Sequence, residues 1–442
     1  MIEPLLELAR RADGGADALW RRVERTAVTF ESGRLKAAGA TEEAGANLRV
    51  RHRGRVGVAG STALAEADGQ ALLERALASA ELGEEIELAF PSPSPLPSVP
   101  THFDRATDAS LEQLIGIGRG LLGRLARDGC QVNVAIERER SETRVANTAG
   151  AAGSYRATAV AVSADVWRIA GDDVLVIGDA FEGSDLPPDA VLDELVRSIT
   201  SRLDHALEVV APPEGALQVV FTPAGLSAVL LPITQGLSGK AVVQGISPLG
   251  SRVGEQVFDV AFSLTDDPCR PGRAASRPID DECVPSRVLP LVERGVVQRF
   301  IYDLETAGRA KTESTGHGQR GIFGKPVPAY TNVIVGEPGD GRQATGGELG
   351  GGLLAGIRDG LLVDELIGVG QGNVISGSFS HPVALAYRIQ DGEITGRVKD
   401  AAVAGNVYEL LNRIGGFGRD ARWTGARFAP SLLLEGVSIA RR

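Results

Sequence analysis

The chain has 442 residues, 43% hydrophobic and 23% charged, with 46 Lys plus Arg against 57 Asp plus Glu and a net charge of −11. That length predicts about two to three domains, and the composition is that of a soluble globular protein rather than a disordered or fibrous one. The acidic balance and the low aromatic content of 5% argue against a basic, base-stacking nucleic-acid surface.

The N-terminal Met1-Ile2-Glu3-Pro4 has neither a basic region nor an apolar run behind it, so no signal peptide is expected. Residues 27–30 and 46–50 read as strands, and a turn at Gly54-Arg55 leads into a third at 56–59. Residues 71–82 have helical periodicity, and the proline-rich 91–100 reads as a stiff extended spacer. An amphipathic helix is predicted over 108–128, with Leu111, Leu114, Ile117, Leu121 and Leu125 on its apolar stripe and Gly129 as its stop. Strands follow at 132–137, 143–147, 155–167 and 174–180, and then a second amphipathic helix at 192–207.

Residues 209–215, with Pro212-Pro213, read as a domain boundary. The next 25 residues, 215–239, contain no charge. Pro223, Pro232, Gln218 and Gln235 argue against a membrane span, so a strand, a Thr222-Pro223 turn and an apolar helix over 226–237 are expected instead. Beyond them the chain is rich in glycine and short strands. Segments 284–291 and 296–302 flank a Glu293-Arg294-Gly295 turn, and 384–390 and 395–399 flank Asp391-Gly392-Glu393; both read as hairpins. A helix is expected at 407–414 and a final strand pair, broken at Gly436, at 432–439. The fold class is therefore α+β: an α/β domain over 1–210 followed by a β-rich domain over 215–442, with no internal repeat.

The three cysteines, Cys130, Cys269 and Cys283, form no CxxC pair, which predicts reduced, cytoplasmic thiols. None of the five histidines, His52, His102, His205, His317 and His381, pairs with another at metal-ligand spacing. His317 and His381 are expected in polar Gly/Ser-rich loops, where a functional contact is more plausible than for the other three. Gly316-His317-Gly318-Gln319-Arg320-Gly321 is a literal GxGxxG, but no strand precedes it and no helix follows, so a glycine-rich surface loop is expected. Ser380 and His381 are adjacent, which on a strand points them to opposite faces and disfavours a serine-hydrolase triad. Asp266-Asp267 and Asp280-Asp281-Glu282 read as turn-forming carboxylates.

Several blocks together resemble the TldD/PmbA family, also called the modulator of DNA gyrase family. They are Phe30-Glu31-Ser32-Gly33-Arg34-Leu35, Gly45-Ala46-Asn47-Leu48-Arg49-Val50, Thr265-Asp266-Asp267-Pro268, Asp280-Asp281-Glu282-Cys283-Val284-Pro285, Ser314-Thr315-Gly316-His317, Ala404-Gly405-Asn406 and Pro430 to Gly436. They run in order along nearly the whole chain. Cys283 departs from the pattern, which usually has Gly there. The resemblance implies a heterodimeric zinc peptidase in which the TldD branch carries an HExxxH helix and a later Cys ligand. Anchored on Gly236-Leu237-Ser238-Gly239, the six helix positions fall on Leu230, Leu231, Pro232, Ile233, Thr234 and Gln235, and segment 368–373 has no cysteine. This places the chain with the PmbA/TldE branch: no catalytic residue and no cofactor in this chain, zinc in a TldD-like partner subunit, and an unfolded or extended peptide as substrate, with no direct nucleic-acid or membrane partner. Two alternatives remain open, a stand-alone regulatory or binding protein and a subunit of a hydrolase acting on a small peptide-like metabolite. Ser314, Thr315 and His317, expected at the surface, are the candidate peptide contacts.

Overall fold

The computed structural model describes residues 2–10, 13–62, 68–336 and 348–442, and the architecture is α+β. The chain begins with α1 (Ile2–Ala9), β1 (Ala16–Glu31), β2 (Arg34–His52), β3 (Arg55–Ser61) and α2 (Asp68–Glu81). After the proline-rich segment come α3 (Asp104–Asp108), α4 (Leu111–Leu125), β4 (Cys130–Asn147), β5 (Ala152–Ala170), β6 (Asp173–Gly183) and α5 (Asp189–His205). The six strands form one antiparallel sheet in the order β3-β2-β1-β4-β5-β6. Ser110 and Gln113 close a capping box at the start of α4, which lays Leu114, Leu121 and Leu125 against Val28, Phe30, Val134 and Ile136. Gly118 is required at that crossing, because a Cβ there would stand 2.2 Å from the Phe30 ring.

These strands are longer than the sequence suggests. β1 runs through 16–31 rather than 27–30, and 132–137 and 143–147 are one strand. Charge ladders across the sheet bridge the polar stretches: Arg25 pairs with Glu139 at 2.9 Å, Arg140 with Glu24, and Arg22 with Glu42 at 2.9 Å. Cross-strand pairs of opposite charge stabilise a sheet without apolar alternation.

The second half comprises β7 (Val209–Val210), β8 (Gly215–Phe221), α6 (Ser227–Gly236), α7 (Gly239–Val243), β9 (Leu264–Asp266), β10 (Leu289–Glu293), β11 (Val296–Val297) and α8 (Leu304–Ala310). Next come β12 (Gly318–Gln319), β13 (Val327–Pro328), β14 (Val333–Val335), β15 (Asp359–Leu366), β16 (Ser378–Gln390), β17 (Glu393–Val398) and β18 (Ala401–Asn406). The chain ends with α9 (Val407–Leu410), β19 (Ile414–Phe417), β20 (Arg422–Thr424), β21 (Arg427–Ala429) and β22 (Leu432–Arg441). The pairings of β15, β8, β22, β18 and β16 run in a ring, since β15 also pairs with β16. A second sheet orders β11-β10-β9-β14-β21-β20. Leu362, Tyr387 and Ile389 of the ring share a core with α4 and α5, so the two halves are packed together.

Three local expectations change. The stretch 432–439 is part of one strand, bulged at Gly436 (φ 77°), not a broken pair. Strand pairing around the Glu293-Arg294-Gly295 turn begins only at Leu289, and the last predicted helix covers only Val407–Leu410. Residues 280–284 are held out of strand pairing because Asp280 Oδ1 accepts from the N–H groups of Glu282 and Val284. Among the described residues, no helix is long and apolar enough to cross a membrane.

Candidate functional site

The charge-free segment folds as expected. β8 enters the ring, and α6 buries Val229, Leu230 and Ile233 against the core of the second half. Pro232 sits within the helix, and its carbonyl accepts a bond from the Tyr408 hydroxyl at 3.3 Å. The six positions then divide. Leu230 is 2% exposed and belongs to the core, Gln235 is exposed, and Leu231 with Pro232 faces a cleft of about 210 Å³. The far wall of that cleft comes from Gly368 to Gln371, so the helix and the glycine-rich segment meet in space although they are distant in sequence. His381 also faces it, from β16 rather than from a loop, stacked on Phe379 with ring centroids 5.8 Å apart. Burial lowers the affinity of the His381 imidazole for a proton.

This donor set does not fit zinc. A zinc site takes about four nitrogen, sulfur or carboxylate donors, and the cleft offers one imidazole, the Gln371 amide, serine hydroxyls and apolar side chains. Among the described residues, no group of three or more His, Cys, Asp or Glu is placed to hold a metal ion.

The 314–317 segment is not a surface loop. Thr315 is 6% exposed and His317 fully buried. Its polarity is consumed internally: Tyr302 N–H donates to Thr315 Oγ1 at 2.7 Å, and Ser314 Oγ donates to the Tyr302 carbonyl at 3.1 Å. His317 Nε2 lies 3.0 Å from Asp266 Oδ2, and Nδ1 lies 2.9 Å from Thr315 Oγ1. Thr331 binds the same Asp266 carboxylate through its N–H and hydroxyl. A buried polar group must be paired, and this one is paired within the fold. Of the three candidate peptide contacts, His317 is thus remote from solvent, Ser314 is half-buried, and Thr315 reaches the wall of a cavity of about 870 Å³.

The acidic run 280–282 turns the chain as expected, but all three side chains are buried and engaged. Glu282 Oε1 accepts from Arg49 Nη1 at 2.5 Å and Glu282 Oε2 from the Leu304 N–H at 2.7 Å. Asp281 takes Arg21 at 2.7 Å and the Arg320 N–H at 2.9 Å, while Asp17 binds both Arg49 and Arg320. Gly318 is part of this junction, since a Cβ there would lie 2.3 Å from Glu282 Oε2. Of the other two glycines in the GxGxxG, Gly316 has φ 79° and lies against the Pro285 carbonyl, while a Cβ at Gly321 would meet nothing within 4 Å. Burial raises the Glu282 and Asp280 carboxyls above their ordinary range, with Arg49 and Arg277 opposing. Burial would raise Asp17 too, but Arg320 and Arg49 outweigh it and hold Asp17 low. The available sequence signal was a charge inside an apolar strand: Arg49 between Leu48 and Val50, and Asp17 between Ala16 and Ala18.

Comparison with known proteins adds the following. The family described as "PmbA/TldA metallopeptidase C-terminal domain" matches residues 214–441, and "PmbA/TldA metallopeptidase domain 1" matches 16–80. The chain is 31% identical to a metalloprotease of Methanothermobacter thermautotrophicus over 52% of this chain and 49% of that protein. It is 31% identical to the TldD homolog of Haemophilus influenzae over 47% of this chain and 42% of that one. The PmbA homolog of the same organism is 27% identical over 50% and 45%. The chain thus spans about half the length of the curated relatives it matches. Among solved structures, TldE from Thermococcus kodakarensis superimposes with a TM-score of 0.89 at 24% identity, covering 99% of both chains. A putative modulator of DNA gyrase from Thermotoga maritima gives 0.86 at 22%, again over 99% of both. At these identities the structural likeness is one of fold.

Proposed function

Because the chain belongs to the PmbA/TldD metallopeptidase family, we propose that it is the TldE/PmbA-like, non-catalytic subunit of a two-chain zinc peptidase. It pairs with a TldD-like catalytic subunit, and the pair cleaves unfolded peptides or peptide precursors. The observation that carries this reading is the cleft between α6 and Gly368–Gln371. Leu231 and Pro232 stand in it where the family's motif would place a general base and its neighbour, and a single imidazole remains. Leucine and proline can neither ligate zinc nor move a proton. The chain's own contribution is then to shape the substrate path and hold an extended segment in place.

The test is reconstitution. The purified chain alone should not cleave an unfolded protein such as casein, and cleavage should appear on mixing with a TldD-like subunit and disappear with a chelator. Chelator-sensitive cleavage by this chain alone would overturn the reading. A mixture no more active than the TldD-like subunit by itself would favour a stand-alone binding protein.

A further inference from the structure

The cavity that Thr315 reaches, about 870 Å³, is separate from the α6 cleft and shares no lining residue with it. Its walls join two kinds of surface. One is apolar: Val253, Phe300 and Tyr302, with the two aromatic rings edge to face at 6.2 Å. The other is basic: Arg287, Arg299 and Arg309, against Glu313 as the one carboxylate of the lining. On a chain of net charge −11 this is a local reversal of sign.

The three arginines are differently engaged. Arg309 on α8 is committed to Glu84 and, at 3.3 Å, to Glu305. Arg287 gives one Nη2 bond, at 3.3 Å, to the Ser314 carbonyl. Arg299, exposed beside Phe300, has no ion-pair or hydrogen-bond partner among the described residues. Its planar fork of donors is therefore free, next to a fixed aromatic wall. A guanidinium of this kind binds a carboxylate through two parallel bonds, and an adjoining low-dielectric wall strengthens the attraction. Thr315 Oγ1 stays in place at the wall because the Tyr302 N–H holds it.

We propose that this cavity is a carboxylate-binding subsite in which Arg299, assisted by Arg287, takes a carboxylate of an extended peptide while Phe300 and Val253 hold the neighbouring apolar side chain. That the carboxylate comes on a peptide rests on the function proposed above; its recognition by Arg299 rests on the cavity alone. Two sources share the chemistry, the C-terminal α-carboxylate and an acidic side chain.

Binding to the full chain without any partner subunit separates this inference from the reconstitution test. The probe is a short unfolded peptide with an N-terminal rhodamine, an acidic side chain and a free apolar C-terminus, followed by fluorescence anisotropy. Arg299→Ala should weaken binding about tenfold, Arg299→Lys less because a point charge replaces the fork, and Arg75→Ala, at an exposed position of α2, not at all. Loss of binding on amidating the C-terminus assigns the α-carboxylate, and loss on neutralising the side chain assigns that group. Equal affinity for a peptide lacking both carboxylates, unchanged affinity in Arg299→Ala, or no binding by the chain would each overturn the proposal.

Discussion

Arg49 and Glu282 stand 233 residues apart in the sequence and meet at 2.5 Å, with their side chains 2% and 0% exposed. Arg49 also grips Asp17 on β1, which in turn binds Arg320 at 2.8 Å. The N-terminal sheet and the second half are therefore joined by alternating buried charges. Two of the blocks that carried the family resemblance, 45–50 and 280–285, come together at this junction.

Arg49→Met should destabilise the chain by about 3–5 kcal/mol, because it strands buried carboxylates that the guanidinium now neutralises. Urea unfolding of Arg49→Met, Glu282→Leu and the double variant checks this. The double variant should lose less than the two single losses added together.

Acid sensitivity should arise at a second link between the halves. Hydrogen bonds from Arg397 and Lys399 pull the Asp173 carboxyl down to about 2 from an ordinary 3.8. A folded value below the unfolded one stabilises at every pH above 3.8 and is lost as pH falls toward about 2. Asp173→Asn should therefore lower the urea midpoint at neutral pH, and the gap to wild type should close across that window.

His317→Ala would be benign in a surface loop, but here it removes the buried partner of Asp266. A loss of about 2–4 kcal/mol is expected, read as a lower melting temperature of the chain alone. Fold damage of this kind would appear before any effect on peptide turnover. An unchanged melting curve would contradict the buried pairing.

On α6, neighbouring positions should respond oppositely to a carboxylate. Leu230→Asp places it in the core and should cost several kcal/mol or abolish soluble expression. Leu231→Asp points into the cleft and should be tolerated within about 1 kcal/mol. Soluble yield and thermal melting of the pair decide it.

Cys283 holds a left-handed backbone, φ 66°, at a buried turn. Cys283→Gly relieves a strain of about 1–2 kcal/mol while giving up a buried thiol, whereas Cys283→Val keeps the strain and adds a β-branch. The glycine variant should melt above the valine variant.

The sequence alone determined the features whose cause is local. Asp391-Gly392 turned β16 into β17, an apolar stripe located α4, which spans Leu111–Leu125 and so stops short of both the expected 108–128 and Gly129, and the absence of charge marked α6 as a core helix. Ordered motif blocks were sufficient to read the family. Tertiary structure decided everything whose partner lies far along the chain. β1 and β4 run unbroken through polar residues because Glu24 and Arg25 of β1 meet Arg140 and Glu139 of β4, and Arg22 of β1 meets Glu42 of β2. Asp280–Glu282 and 314–317 look like hydrated turns until Arg49, Arg21, Tyr302 and Asp266 close over them. The physical reason is desolvation: a charge reads as surface in any local window, and only a counter-charge delivered by the fold makes its burial affordable.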